Sequence, residues 1–197
     1  MLTYLGIFAG VLAAISYIPY IIDTIGRKAQ PEHATWFIWL VLQTIAFFAQ
    51  LSKGATSSLW FTAFDALGVV VIFLLSLKYG VGSLAKRDGI ALVAAGMGLI
   101  LWYFTKNALY ALLITIAIDA TGTSLTVIKA YKEPTTETYS MWLLVGLASL
   151  LAVVSVGTFN FALMIYPFYI CLANLAVVLA KYTGEHLKPV PPIELSN

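Results

Sequence analysis

Charge is the scarcest property of this sequence. Of its 197 residues, 11 are Lys or Arg and 9 are Asp or Glu, 10% in all, against 61% hydrophobic residues and a mean hydropathy of +0.92. A soluble domain carries about 25% charged residues, and so few charges cannot cover a water-soluble surface at this length. The deficit excludes a soluble enzyme, a nucleic-acid binder and a disordered chain, and makes the bilayer the expected solvent. A net charge of +2 offers no footprint for a polyanionic partner. Cysteine is nearly absent as well. The single thiol, Cys171, stands in an apolar run, so neither a disulfide framework, a metal-ligand cluster nor a cofactor is expected. The first apolar stretch has no basic segment before it and no small-residue cleavage site after it, and is expected to stay as a helix. Strict alternation of polar and apolar residues is also missing from runs such as LGVVVIFLLSL, which argues against a transmembrane barrel.

What is present is a series of apolar runs. Seven are marked off by charges, Gly and Pro, at 3–23, 35–51, 57–77, 89–105, 108–128, 139–156 and 159–180. At about 1.5 Å per residue each reaches across a hydrocarbon core near 30 Å thick, with 35–51 and 89–105 at the short end. The expectation is an all-α membrane protein with seven transmembrane helices. The basic residues orient it. Arg27, Lys28, Lys78, Lys86, Arg87, Lys129, Lys132, Lys181 and Lys188 follow the odd-numbered spans, and only Lys53 and Lys106 lie at the other ends. This asymmetry predicts an outer N-terminus and a cytoplasmic C-terminus, in the cell membrane. Residues 184–197, polar and Pro-rich, read as a disordered cytoplasmic tail.

Sliding the chain by 103 positions aligns Pro31 with Pro134, Thr35 with Thr138, Trp39 with Trp142, Ser52 with Ser155, Gly54 with Gly157, and Lys78-Tyr79 with Lys181-Tyr182. Ten identities fall between residues 25 and 79. In so apolar a chain the count is weak, but Pro, Trp and Gly coincide at loops and helix entries. A three-helix unit keeps its orientation on duplication only if one further span separates the copies. The chain therefore divides into a first three-helix repeat (1–80), a linker helix (81–106) and a second repeat (107–183), related by an axis along the membrane normal.

The segments SYIPYIIDTIGRKAQPE (16–32) and FDALGVVVIFLLSLKYG (64–80), with a Trp-rich helix between them, resemble the PQ-loop superfamily, which includes the SWEET and SemiSWEET sugar transporters and the cystinosin-type exporters. The resemblance covers about 4–80 and 107–183. It implies two parallel three-helix bundles joined by a linker helix, and transport by alternating access around a midplane pocket. Ser16 and Pro19 fall on the family's first-helix Ser-x-x-Pro-Gln motif, with Tyr20 in place of Gln, and Asp65-Ala66-Leu67-Gly68 falls on its third-helix Asn-x-x-Gly. In the second repeat Asp119 takes the Ser position and Gly122 the Pro position. Pro167 is kept, but Phe168 replaces the Asn that follows it. Two facing Asn side chains, the classical sugar pocket, are therefore absent.

Asp65 and Asp119 are the sharpest chemical candidates. Each lies at least eight residues inside its span, and no Lys or Arg lies at similar depth. A carboxylate there is costly unless it faces a hydrated cavity, holds a proton or binds a cation; the bland alternative is an Asp bonded to neighbouring helix backbone. Both fall on pocket positions by the resemblance. Gln43 is deep enough to line the same pocket, whereas Gln50 is nearer the end of its span. Asn174 either lines the cavity one level lower or bonds between helices. Trp36, Trp39, Trp60 and Trp142 fit an interfacial aromatic belt, with pocket-flanking roles open for the repeat-related Trp39 and Trp142. Pro19 and Gly122, with Pro167, read either as hinges or as static kinks that shape packing. Asp23, close to Arg27, reads as an interfacial or gate residue, and His33 and His186 as solvated.

The expected function is small-solute transport, proton-coupled or selective for a cationic or zwitterionic solute rather than a neutral sugar. The alternative is a receptor or regulator of the same fold, as in the KDEL-receptor branch, that binds without transporting. A retinal protein needs a Lys inside the last span, and 159–180 has none. No Ser/His, GxGD-type or HExxH constellation supports an intramembrane hydrolase. The expected partners are the lipid bilayer, a small solute and protons, with no nucleic acid. Oligomeric state is not legible in the sequence.

Overall fold

The computed structural model describes residues 1–82 and 86–186. Seven helices succeed one another: α1 (Leu2–Ile25), α2 (His33–Ser52), α3 (Leu59–Tyr79), α4 (Lys86–Thr105), α5 (Ala108–Lys132), α6 (Tyr139–Ser155) and α7 (Phe161–His186), with one 3₁₀ turn, Pro134–Thr136, before α6. Among the described residues the only β-pairing is an isolated bridge between Glu32 and Val81. It ties the α1–α2 connection to the chain leaving α3. The seven apolar runs are thus seven helices. Five of them, α1, α2, α3, α5 and α7, are long and apolar enough to cross a membrane, while the apolar parts of α4 (Leu92–Thr105) and α6 (Tyr139–Ser155) are shorter. The shortfall has a local cause in each. Lys86, Arg87 and Asp88 occupy the opening of α4, and α6 stops ahead of Gly157 in the left-handed region. In the other direction, α5 runs past 128 to Lys132 and α7 past 180 to His186, since a helix of good formers need not end where its apolar run ends. The expected tail therefore begins inside α7, and its residues 187–197 lie outside those described.

The helices are inverted relative to those of a soluble protein. On α1 the large apolar residues Phe8, Val11, Ile15, Ile18, Ile22 and Ile25 are exposed, while Gly6, Ala9, Gly10, Ala13 and Ser16 are buried. Two interleaved stripes at three- and four-residue spacing result, large side chains outward and small ones inward. Small residues let helix backbones approach closely where lipid cannot supply a hydrophobic drive. A Cβ on Gly10 would lie 2.8 Å from the Trp60 carbonyl oxygen of α3, so only glycine permits that contact. The same logic brings Gly184 of α7 against the Tyr131 carbonyl of α5.

Packing follows a simple order. α3 lies between α1 and α2, α7 lies between α5 and α6, and the two groups meet through α1 against α6 and α2 against α5. α4 packs outside on α5 and α2. Residues 103 positions apart share local conformation at the ends of α2 and α6. Ser52 and Ser155 each donate to a carbonyl three residues back, Ala49 and Ala152, at 2.8 Å. Gly54 and Gly157 then take φ of 82° and 79°, a left-handed turn that glycine adopts without steric cost.

Candidate functional site

α1, α2, α3 and α7 converge on Asp65, which is 2% exposed. Tyr17 of α1 donates its hydroxyl to Asp65 Oδ1 at 2.7 Å. Gln43 of α2 donates Nε2–H to Asp65 Oδ2, and its own Oε1 accepts from the Tyr166 hydroxyl of α7 at 2.9 Å. Both carboxylate oxygens are thereby satisfied, and one four-residue network ties helices of both groups together. Gly68 makes this geometry possible. It stands one turn after Asp65 on the same face, and any Cβ there would collide with the Tyr17 ring. The Asp-x-x-Gly spacing supplies an acceptor and the space for the ring that reaches it.

A second acid–tyrosine pair stands between α5 and α7. Tyr169 donates to Asp119 Oδ2 at 2.5 Å, and Thr123, one turn on, donates to the same oxygen at 3.0 Å. The two pairs are related with their roles exchanged. In the first, the tyrosine is on α1 and the acid on α3; in the second, the acid is on α5 and the tyrosine on α7. A shift of 103 carries Tyr17 to Ala120 and Asp65 to Phe168, each immediately beside the residue that does the bonding.

Asp65 and Asp119 line one cavity of about 50 Å³, several times the roughly 10–15 Å³ needed to hold a water molecule. Gln43, Trp39, Trp142 and Asn174 line it too, with no Lys or Arg among its described walls. A wider vestibule of about 420 Å³ adjoins it at the end of the molecule bearing the α1–α2 and α5–α6 connections. Trp36, Trp39, Thr126 and Trp142 belong to the walls of both spaces, so an aromatic layer separates them. The rings form a continuous row: Tyr20 to Trp36 at 5.4 Å, Trp36 to Trp39 at 5.1 Å and Trp39 to Trp142 at 6.3 Å between centroids. Glu137, 7% exposed, fixes the last member by accepting from Trp142 Nε1 at 3.1 Å, and it pairs with Lys129 at 3.0 Å. Lys129 also reaches the Gln30 carbonyl at 3.4 Å, and Thr138 donates to Asp23 at 2.7 Å. The two groups of helices are therefore latched to each other around the vestibule.

Of the residues singled out in the sequence, Asp65, Asp119, Gln43, Asn174, Trp39 and Trp142 come together at this cavity. Ser16 does not. It is fully buried and donates to Ala13 of its own helix at 2.6 Å, because its position on α1 faces the small-residue seam. Phe168 is 50% exposed on the outer surface, the adjacent Tyr169 having turned inward. Pro19, Gly122 and Pro167 lie within continuous helices, and a Cβ on Gly122 would stand 3.5 Å from Trp39 Nε1. Asp23 bonds Thr138. His33 opens α2 and contacts the Ser76 carbonyl at 2.8 Å, so it is not simply solvated. Gln50 bonds Thr62 at 3.0 Å away from the cavity. The sequence does not single out Tyr17, Tyr166, Tyr169 or Glu137, and it marks Trp36 only as part of an aromatic belt and Lys129 only as an orienting charge. The tyrosines carry a faint signal in the sequence, lying beside or near Pro19, Pro167 and Phe168.

Comparison with family models, with curated proteins and with solved structures gives no match to this chain. The functional reading rests on the site.

Proposed function

We propose that this protein is a small-solute membrane transporter of the PQ-loop and SWEET kind, in which two parallel three-helix bundles, joined by α4 as a linker, alternate access to a midplane pocket. The N-terminus is outside and the C-terminus cytoplasmic in this reading, so the vestibule opens to the cytoplasm. The observation that carries it is the cavity lined by Asp65 and Asp119, set where the two helix groups meet and parted from a wide vestibule by a single layer of tryptophan. A buried site beside an open one, with a thin side-chain barrier between them, is the arrangement that gating requires. Two carboxylates without a basic neighbour call for a proton or a cationic or zwitterionic solute to balance them.

The test is uptake into proteoliposomes, with and without a proton gradient, across panels of sugars, amino acids, polyamines and vitamins preselected by thermal shift. Wild-type protein should concentrate at least one solute, and Asp65→Asn and Asp119→Asn should lose either the uptake or its dependence on the gradient. Saturable binding with no flux for any solute would replace the transporter with a receptor. Wild-type flux and coupling in both variants would remove the carboxylates from the mechanism.

A further inference from the structure

The cavity contains acceptors that the chain leaves open. Among the described residues Asp119 receives hydrogen bonds only on Oδ2, which leaves Oδ1 open to a further donor. Asn174, 6% exposed, gives its amide N–H to the Ile170 carbonyl of its own helix at 2.8 Å, and its Oδ1 is buried with no partner among the described residues. Both residues are cavity walls. Asp65 differs, since Tyr17 and Gln43 satisfy both of its oxygens. A buried acceptor without a donor, as at Asn174 Oδ1, is an unfavourable arrangement that native structures seldom keep without a reason. No basic side chain supplies the missing donors, because none of the described residues that line the cavity is Lys or Arg. Its other walls include the aromatic residues Tyr17, Trp36, Trp39 and Trp142, the polar Gln43, Asp65, Thr123 and Thr126, and aliphatic residues such as Val69 and Val145. Indole faces attract cations, most strongly when water is excluded.

We infer that this cavity binds a small organic cation bearing N–H groups, a primary or secondary ammonium, whose N–H bonds go to Asp119 Oδ1 and Asn174 Oδ1 and whose charge rests against the tryptophan rings. The inference names the substrate class of the proposed transport site and rests on that reading of it. Each alternative leaves something unmet. A quaternary ammonium suits the rings and offers no hydrogen to the acceptors. A neutral alcohol donates once and leaves the charge of Asp119 unbalanced. Sodium needs a shell of several oxygens, and those of Asp65, Gln43 and Thr123 are already engaged in hydrogen bonds. The narrowness of the cavity restricts the ligand in this form of the protein to a few heavy atoms.

The experiment uses the full chain in lipid nanodiscs, titrated with methylammonium, ethylammonium, tetramethylammonium, ethanol and sodium at matched ionic strength. Tryptophan emission and the thermal midpoint are the readouts. Methylammonium and ethylammonium should change both saturably, and the other three should not. Asp119→Asn and Asn174→Leu should each weaken the response at least about tenfold, a change of about 1.4 kcal/mol, while Thr44→Val on the outer face of α2 should match wild type. Asn174→Asp keeps the size of the side chain and adds charge. It should tighten ammonium binding, which keeps the test decisive if the leucine variant fails to fold. Equal responses to ethylammonium and tetramethylammonium, a response to ethanol or sodium alone, or no response to either amine overturns the inference. The transport reading fails separately. Saturable amine binding with no ethylammonium flux in proteoliposomes upholds the ligand class and makes the protein a receptor. Flux of another solute without amine binding overturns the ligand class and leaves the transporter standing.

Discussion

Trp39 and Trp142, 103 positions apart in the chain, meet edge to face with their ring centroids 6.3 Å apart. Each comes from the second helix of its three-helix group, and together they close the passage from the vestibule to the cavity containing the two carboxylates. Residues that a duplication would make equivalent face one another where the two helix groups meet, at the point where the proposed transport would require them to part. Their neighbours differ. Trp39 leans on Trp36 within its own helix, whereas Trp142 is held by Glu137 from the loop before its helix. The barrier therefore has a packed half and a hydrogen-bonded half.

The packed half predicts a leak. With Cys171 replaced by Ser and Ala173, a wall of the cavity, replaced by Cys as a reporter, a thiol reagent added on the vestibule side should label slowly. Trp39→Ala removes the ring that both spaces share. Labelling should rise by about tenfold or more, corresponding to roughly 1.4 kcal/mol in favour of an open passage. An unchanged rate would mean that solute reaches the cavity by another route.

The hydrogen-bonded half predicts a graded response at Glu137. Its carboxylate is buried and serves two donors, Trp142 Nε1 and Lys129 Nζ. Glu137→Ala strands the indole N–H and frees Lys129, whose side chain is 34% exposed and can turn to water. The loss should be about 1–3 kcal/mol, seen as a lower thermal midpoint. Glu137→Gln keeps an acceptor for the indole, and should lose less stability and label at Ala173→Cys more slowly than the alanine variant. If the two substitutions are indistinguishable, Glu137 acts through charge alone and does not position Trp142.

How much of this was legible beforehand depends on what kind of fact is asked for. The helices follow from hydropathy, because long apolar runs have few alternatives in a bilayer. Asp65 and Asp119 stood out because a charge in such a run is expensive wherever it points. The tyrosines were hidden for the opposite reason. Tyr17 and Tyr169 are ordinary residues in an apolar helix, and only the rotation of α1 and α7 about their axes turns their hydroxyls to the acids. The same rotation decided between Phe168 and Tyr169, a difference of one position that sends one side chain outward and the other in. Asn174 could be placed in a helix but not on a face. Glu137 lies in a loop, where the sequence gives no direction, and its carboxylate is buried only because Trp142 and Lys129 come to it.

Two glycines 103 positions apart differ in what surrounds them. Gly54 and Gly157 share a left-handed conformation that costs an alanine about 1 kcal/mol. Around Gly54 a Cβ meets nothing, whereas at Gly157 it would collide with the Leu2 side chain at the start of α1. Gly54→Ala should therefore lower stability by about that strain alone. Gly157→Ala should lose more, and Leu2→Ala in the same chain should return part of the excess. Equal losses at both sites, unaffected by Leu2, would show that the N-terminal turn does not pack where it is described.

The sharpest prediction concerns Tyr17, Asp65 and Gly68 as a unit. Tyr17→Phe removes the hydroxyl that reaches Asp65 at 2.7 Å and leaves a buried carboxylate oxygen without its donor, at a cost of about 1–3 kcal/mol. Gly68→Ala leaves both partners chemically intact but puts a methyl group where the Tyr17 ring lies, and overpacking of this kind costs roughly 1–3 kcal/mol. If the ring is forced away from Gly68, the hydroxyl leaves Asp65 as well, so the second substitution already contains much of the first. The double variant should then be less destabilised than the sum of the singles by about 1 kcal/mol, within the range found for residues in direct contact. Thermal unfolding of the four proteins in the same lipid measures this coupling. A strictly additive result would mean that the glycine and the hydrogen bond are independent, and that the Asp-x-x-Gly spacing serves helix packing without serving the acid.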